Sequence, residues 1–245
     1  MISIKVMQDA DLKGSTLIEG FPGVGLVGPM AISYIIDKLG MKYIGYIESD
    51  DFPPIVSIHD SKPLPPVRLY FSEKSRLAAI FAEFAIPLNL IHELSDKIYE
   101  FITSNQIGSI VSIGGIPGKD QQDETVYVIA SNSDLLKDAE KAGLNPVIEG
   151  VSTGVSALLI QKASIANIQD TNVLVPVDPS IIDPKYAEQA IKSINKLLKL
   201  NVDVNELDKE AKEVEAKVRD LMKKSRETHE TYKKAVTSGE PSMYA

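Results

Sequence analysis

Two hydrophobic rhythms alternate along the first 200 residues. Short β-branched and aliphatic runs, bounded by Gly, Pro, Asn and Asp, predict strands at residues 2–7, 15–21, 43–48, 55–59, 67–71, 76–83, 109–114, 125–130 and 172–177. Between them, apolar residues recurring every three or four positions predict helices at residues 29–39, 87–104, 134–142, 155–163 and 184–200. The run at 109–114 is apolar on both sides of its two-residue repeat, which places it at the centre of a sheet covered on both faces. The neighbouring strands between 55 and 83 have no helix between them and read as an antiparallel patch. The pattern specifies an α/β core domain over residues 1–200, built on a mixed sheet flanked by helices.

After residue 200 the pattern changes. Residues 203–234 interleave nine acidic with nine Lys or Arg side chains. Within them Val204, Leu207, Ala211, Val214, Val218 and Leu221 stand at alternating spacings of three and four, the a and d positions of a coiled coil, continued by Ser225, Thr228 and Tyr232. Asp203, with Glu206 three residues on, fits a capping box. A helix over residues 203–236 would extend roughly 50 Å. It could lie back on its own domain or join other copies of the chain. So polar a remainder covers little surface, which favours the oligomeric coiled coil. Residues 237–242, Thr-Ser-Gly-Glu-Pro-Ser, break the helix and leave residues 237–245 as a flexible tail ending in Met243, Tyr244 and Ala245.

Composition then narrows the function classes. A chain of 245 residues can bury a core without disulfide staples, and it contains no Cys. The lack of Cys fits a reducing interior and removes thiol catalysis and thiolate metal sites. The three His are scattered without metal-ligand spacing. A net charge of -8 argues against gripping a nucleic-acid backbone. No apolar run approaches the roughly 18 to 20 residues that cross a bilayer, and the first five residues lack the order of a signal peptide. A soluble, cytoplasmic protein with neither membrane nor nucleic-acid partner is expected.

Three glycine motifs carry candidate chemistry. Gly23-Val24-Gly25-Leu26-Val27-Gly28 matches G-x-G-x-x-G between a predicted strand and helix, with Glu48 ending the next strand, as in a dinucleotide site where a pyrophosphate rests on the helix N-terminus. Pro22, Pro29 and the mixed continuation after Glu48 favour a structural strand-to-helix turn instead. Gly150-Val151-Ser152-Thr153-Gly154 matches the G-x-S-x-G nucleophile elbow, yet downstream only His229, in the charged terminal helix, follows the expected order, and His59 and His92 lie upstream. Gly114-Gly115-Ile116-Pro117-Gly118 follows an apolar strand, where ligands of open α/β sheets bind, but no matched acid and base accompany it. Asp51-Phe52-Pro53-Pro54 and Lys62-Pro63-Leu64-Pro65-Pro66 read as rigid hairpin borders.

The C-terminal triplet is the most informative feature. Met243 can fill an apolar slot, the Tyr244 phenol can lie in a groove and hydrogen-bond backbone, and a carboxylate on Ala245 can meet a Lys.

Taken together, the blocks Glu19-Gly20-Phe21-Pro22-Gly23-Val24-Gly25-Leu26-Val27-Gly28, Asp51-Phe52-Pro53-Pro54, Ser112-Ile113-Gly114-Gly115 and Glu149-Gly150-Val151-Ser152-Thr153-Gly154 resemble the proteasome assembly chaperone family, in particular its archaeal members. Met243, Tyr244 and Ala245 match that family's hydrophobic-Tyr-any tail. The resemblance implies an α/β fold like that of nucleoside phosphorylases without their activity, no cofactor, and ATP-independent binding to the α-subunits of the proteasome core particle. On that basis the chain is expected to be a homo-oligomeric assembly chaperone or activator, with Val204, Leu207, Ala211, Val214, Val218 and Leu221 joining the copies. The rival reading is a nucleotide-binding or nucleoside-transforming enzyme using Gly23, Gly25, Gly28 and Glu48.

Overall fold

The computed structural model describes residues 1–59, 61–118 and 124–205, together with Leu207 and Lys223. Its strands are β1 (Ser3–Val6), β2 (Thr16–Glu19), β3 (Lys42–Glu48), β4 (Ser57–His59), β5 (Lys62–Leu64), β6 (Val67–Ser72), β7 (Leu77–Ala82), β8 (Ser109–Pro117), β9 (Tyr127–Ala130), β10 (Asn145–Pro146) and β11 (Gln169–Val177). Its helices are α1 (Val27–Lys38), α2 (Ile91–Ser104), α3 (Ser133–Lys141), α4 (Val155–Ala166) and α5 (Pro184–Leu198). Each strand and helix expected before residue 200 is present, with ends shifted by up to four residues. The short strands β5 and β10 were not expected, since each contains a Pro and neither shows apolar alternation.

Nine strands form one mixed sheet in the order β1-β3-β6-β7-β2-β8-β11-β9-β10. The middle four, β7, β2, β8 and β11, run parallel. An antiparallel wing of β1, β3 and β6 extends from β7, and β9 joins β11 antiparallel on the far side. The hairpin β4–β5 stands apart from the sheet. All six residues of β7, Leu-Ala-Ala-Ile-Phe-Ala, are buried, which is the signature of a strand covered on both faces.

Side-chain alternation divides the core between those faces. Ile18, Val111, Ile113, Val173 and Val175 pack toward α1 and α5. One residue earlier on the same strands, Leu17 and Ile110 pack toward α2 and α4, among Ile98 and Leu159. Local chemistry fixes the helix starts: the Asn132 side chain accepts the N–H groups of Asp134 and Leu135 at 3.1 and 3.0 Å, and Asp183 accepts that of Lys185 at 2.9 Å ahead of α5, which opens on Pro184.

The wing holds a buried ion pair. Arg68 of β6 donates to both carboxylate oxygens of Glu83, at 2.8 and 3.0 Å, to Pro65 O at 3.0 Å and to the Tyr70 hydroxyl at 2.8 Å. From the hairpin, the Ser57 hydroxyl donates to Glu83 and His59 Nε2 lies 2.8 Å from Glu83 Oε1. Both charges are thus fully coordinated, as burial demands, and the hairpin is pinned to the sheet through Ser57 and His59.

Beyond α5 the chain turns back onto the domain. Lys199 adopts a left-handed conformation, and the Asn195 amide clamps Val202 with two hydrogen bonds of 2.8 and 3.0 Å. The Tyr34 hydroxyl donates to Asp203 O at 2.8 Å, and Leu207 is only 1% exposed within the core that α1 and α5 share, with Val204 packed beside it. The first two positions of the predicted seam therefore lie against their own domain. Ala211, Val214, Val218, Leu221, His229 and the tail Met243, Tyr244 and Ala245 lie outside the described residues.

Candidate functional site

The glycine-rich turn after β2 is packed backbone against backbone. Gly25 has φ of 67° and Leu26 follows at 52°, so two successive left-handed residues swing the chain from the strand into α1. A Cβ on Gly20 would stand 2.7 Å from the backbone of Gly28, and one on Gly115 would stand 2.2 Å from Val24 O. These glycines let the turn press onto β2 and β8. Their close approach is to protein, where a dinucleotide motif reserves it for pyrophosphate. Glu48, the expected ribose acid, sits on β3, three strand positions from β2 or about 14 Å across the sheet. There it accepts from the Ser3 hydroxyl at 3.0 Å and pairs with Lys5 at 3.7 Å. The pieces of the dinucleotide reading are not brought together.

The three glycine motifs do converge elsewhere. The loop after β2, the end of β8 and the loop entering α4 surround one cleft of about 790 Å³ at the carboxyl ends of the parallel strands. Its walls are mostly aliphatic, with Phe21, Ile113, Ile116 and Leu174 among them, and Leu88, Ile148 and Val151 stand 84 to 93% exposed around its mouth. Ser152 and Thr153 are exposed on the loop leading to α4. His59 is committed to Glu83, and among the described residues no His hydrogen-bonds Ser152, so no nucleophile and base meet here.

Under the cleft runs a polar row. The sheet register sets Glu19 of β2 beside Ser112 of β8, and Ser112 beside Asn172 of β11. The three are 0, 1 and 1% exposed. Asp170 lies two residues back from Asn172 on the same face, beneath α4, and is also 0% exposed. Burial raises the pKa of Glu19, opposed by the hydroxyls of Ser112 and Ser156 and by the Phe21 N–H, which donates to Oε2 at 3.3 Å. Burial, reinforced by the charge of Glu19, pushes Asp170 up to about 8, with the Thr171 N–H acting weakly in the opposite direction. Glu19 Oε1 and Asn172 Oδ1 meet no hydrogen-bond partner among the described residues.

Reading the sequence missed this row. Its signal was available, because Glu19, Ser112, Asp170 and Asn172 interrupt strands that are otherwise apolar, and a carboxylate inside such a run is costly unless it has a task. Among the described residues no group of acidic or His side chains has the arrangement of a metal site, and no helix is long and apolar enough to cross a membrane.

Comparison with known proteins agrees with this architecture. A model of the PAC2 family matches residues 17–222. An uncharacterized protein of Methanocaldococcus jannaschii is 31% identical, the match covering 94% of this chain and 98% of that protein. The crystal structure of Pyrococcus furiosus PbaA, an archaeal homolog of proteasome-assembly chaperone, superposes with a TM-score of 0.84 at 28% identity, over 93% of this chain and 99% of PbaA. Pyrococcus furiosus PbaB, an archaeal proteasome activator, shares the fold with a TM-score of 0.75 at 24% identity, over 90% of this chain and 98% of PbaB.

Proposed function

The chain belongs to the PAC2 family, and from that premise we propose that it is a non-catalytic assembly chaperone or ATP-independent activator of the proteasome, whose α/β domain serves as scaffold. The observation that carries this reading is the match with PbaA, which spans 93% of this chain and 99% of that chain at a TM-score of 0.84. The packed glycine turn and the remote Glu48 weigh against the nucleotide-binding rival.

In this reading Met243, Tyr244 and Ala245 dock between α-subunits of the core particle, and the part of the seam from Ala211 to Leu221 gathers several tails. Multiplicity matters because a single short peptide binds weakly, while tethered copies act at high effective concentration and gain orders of magnitude in avidity. The direct test is capture of proteasome α-rings by the intact protein and by a form truncated after Ser242. Capture by the intact protein alone supports tail docking. Equal capture by both forms moves the interaction to the α/β domain, and capture by neither removes the proteasome reading.

A further inference from the structure

The cleft has a charge problem that its own walls do not solve. Glu19 and Asp170 lie beneath it and Glu149 stands at its rim, yet among the described residues lining it there is no Lys, Arg or His. An ionised carboxylate buried without a partner costs several kcal/mol, so such groups are paired or remain protonated. Glu83, on the same sheet, shows the paired solution with its own arginine. Among the described residues Glu19 has no cation partner, and one of its oxygens has no hydrogen-bond partner. The Ser156 hydroxyl, in the first turn of α4, acts on Glu19 only as a neutral donor that favours its ionised form.

From this geometry we infer that the cleft is a binding site for an organic cation, an ammonium group carried on an apolar chain, seated over Ser112 and Asn172 with Glu19 as its counter-charge. The ammonium supplies donors to Asn172 Oδ1 and to the Glu19–Ser112 pair, and converts a costly buried carboxyl into half of an ion pair. The aliphatic walls take the chain, as the lining of small-ligand sites usually does. Phe21, at the turn, adds to the lining an aromatic ring, a group that attracts alkylammonium ions. A phosphate or carboxylate ligand would meet Glu149 at the rim and, among the described lining residues, no basic side chain.

The test uses the full-length protein and three ligand series of matched chain length, from butyl to octyl: alkylammonium ions, alcohols and carboxylates. Calorimetry and thermal shift give the affinities. The expected result is saturable binding of an alkylammonium at least tenfold tighter than the alcohol of equal length, with the carboxylate weakest, and loss of that preference in Glu19→Gln. The comparison among ligands on the unaltered protein stands even where the variant folds poorly. Equal affinity for ammonium and alcohol, no saturable binding of any alkylammonium in the series, or full retention of the preference in a folded Glu19→Gln protein would overturn the assignment. The readout is small-ligand affinity rather than capture of α-rings, so failure of this assignment and failure of the proteasome reading are told apart.

Discussion

Gly20 and Gly28 face each other with nothing between their backbones: a Cβ on Gly20 would stand 2.7 Å from Gly28, and a Cβ on Gly28 would stand 2.8 Å from Gly20 and 2.7 Å from Ile113 O. The neighbours are main chain of β8 and of the turn itself, so neither can move aside cheaply. Gly28→Ala is expected to cost about 3 kcal/mol and lower Tm by roughly 10 °C. Gly23 opens the same motif, but its conformation is extended and its nearest non-neighbouring atom would be 3.9 Å from a Cβ. Gly23→Ala should therefore stay within about 0.5 kcal/mol of the parent. Calorimetric melting of the two variants decides the role of the motif. A benign Gly28→Ala would remove the packing explanation.

That contrast shows where the sequence could be read and where it could not. Among the described residues before 200, local periodicity located every long strand and helix, because a residue's neighbours at two or at three to four positions determine which face it buries. It also exposed the three glycine blocks. It could not reveal that Gly20 opposes Gly28, or that Glu19, Ser112 and Asn172 form one row, since both depend on strand order and register set by distant parts of the chain. The dinucleotide fingerprint misled for the same reason: its spacing is local, but the position of Glu48 three strands away is not.

Asp170 makes stability depend on pH. Its folded pKa is raised to about 8 from the ordinary aspartate value of 3.8, so the native protein holds a proton that the unfolded chain releases. The stabilisation from that protonated group is complete below pH ~4 and is lost as pH rises toward about 8, at a slope near 1.4 kcal/mol per pH unit. Asp170→Asn should remove this contribution, so the variant gains on the parent as pH increases. Urea unfolding of both proteins at several pH values across that window measures the difference. A difference that does not change with pH would show that Asp170 ionises normally.

The predicted seam should divide into two kinds of position. Leu207, 1% exposed within the domain core, behaves as a core residue, and Leu207→Ala should cost about 2 to 4 kcal/mol and lower Tm by roughly 10 °C. Val214 and Leu221 lie beyond the described residues, and the seam reading assigns them to contacts between copies. Val214→Asp combined with Leu221→Asp places two charges in an apolar seam at a cost of several kcal/mol. The double variant should reduce the mass in solution while the melting of the α/β domain stays put. Light scattering coupled to gel filtration, alongside calorimetry, separates the two effects. An unchanged mass would mean that the domains themselves make the assembly.

Docking on the proteasome should depend on the chemistry of the last three residues rather than on the acidity of the chain. Tyr244→Ala removes an amphipathic ring and its hydroxyl, and such a truncation in a pocket commonly costs about 2 kcal/mol, roughly thirtyfold per site. With several tails engaged the losses compound. One residue added after Ala245 should be nearly as damaging, because it displaces the carboxylate from its Lys while barely altering composition. Glu240→Gln changes a nearby charge by one unit and should have little effect, as a solvated tether charge contributes weakly. Surface-immobilised α-rings titrated with the parent and these three variants give the ranking directly. If the parent binds and both the Tyr244→Ala and extended forms match it, the anchor lies in the α/β domain, and the exposed Leu88, Ile148 and Val151 around the cleft become the first positions to substitute.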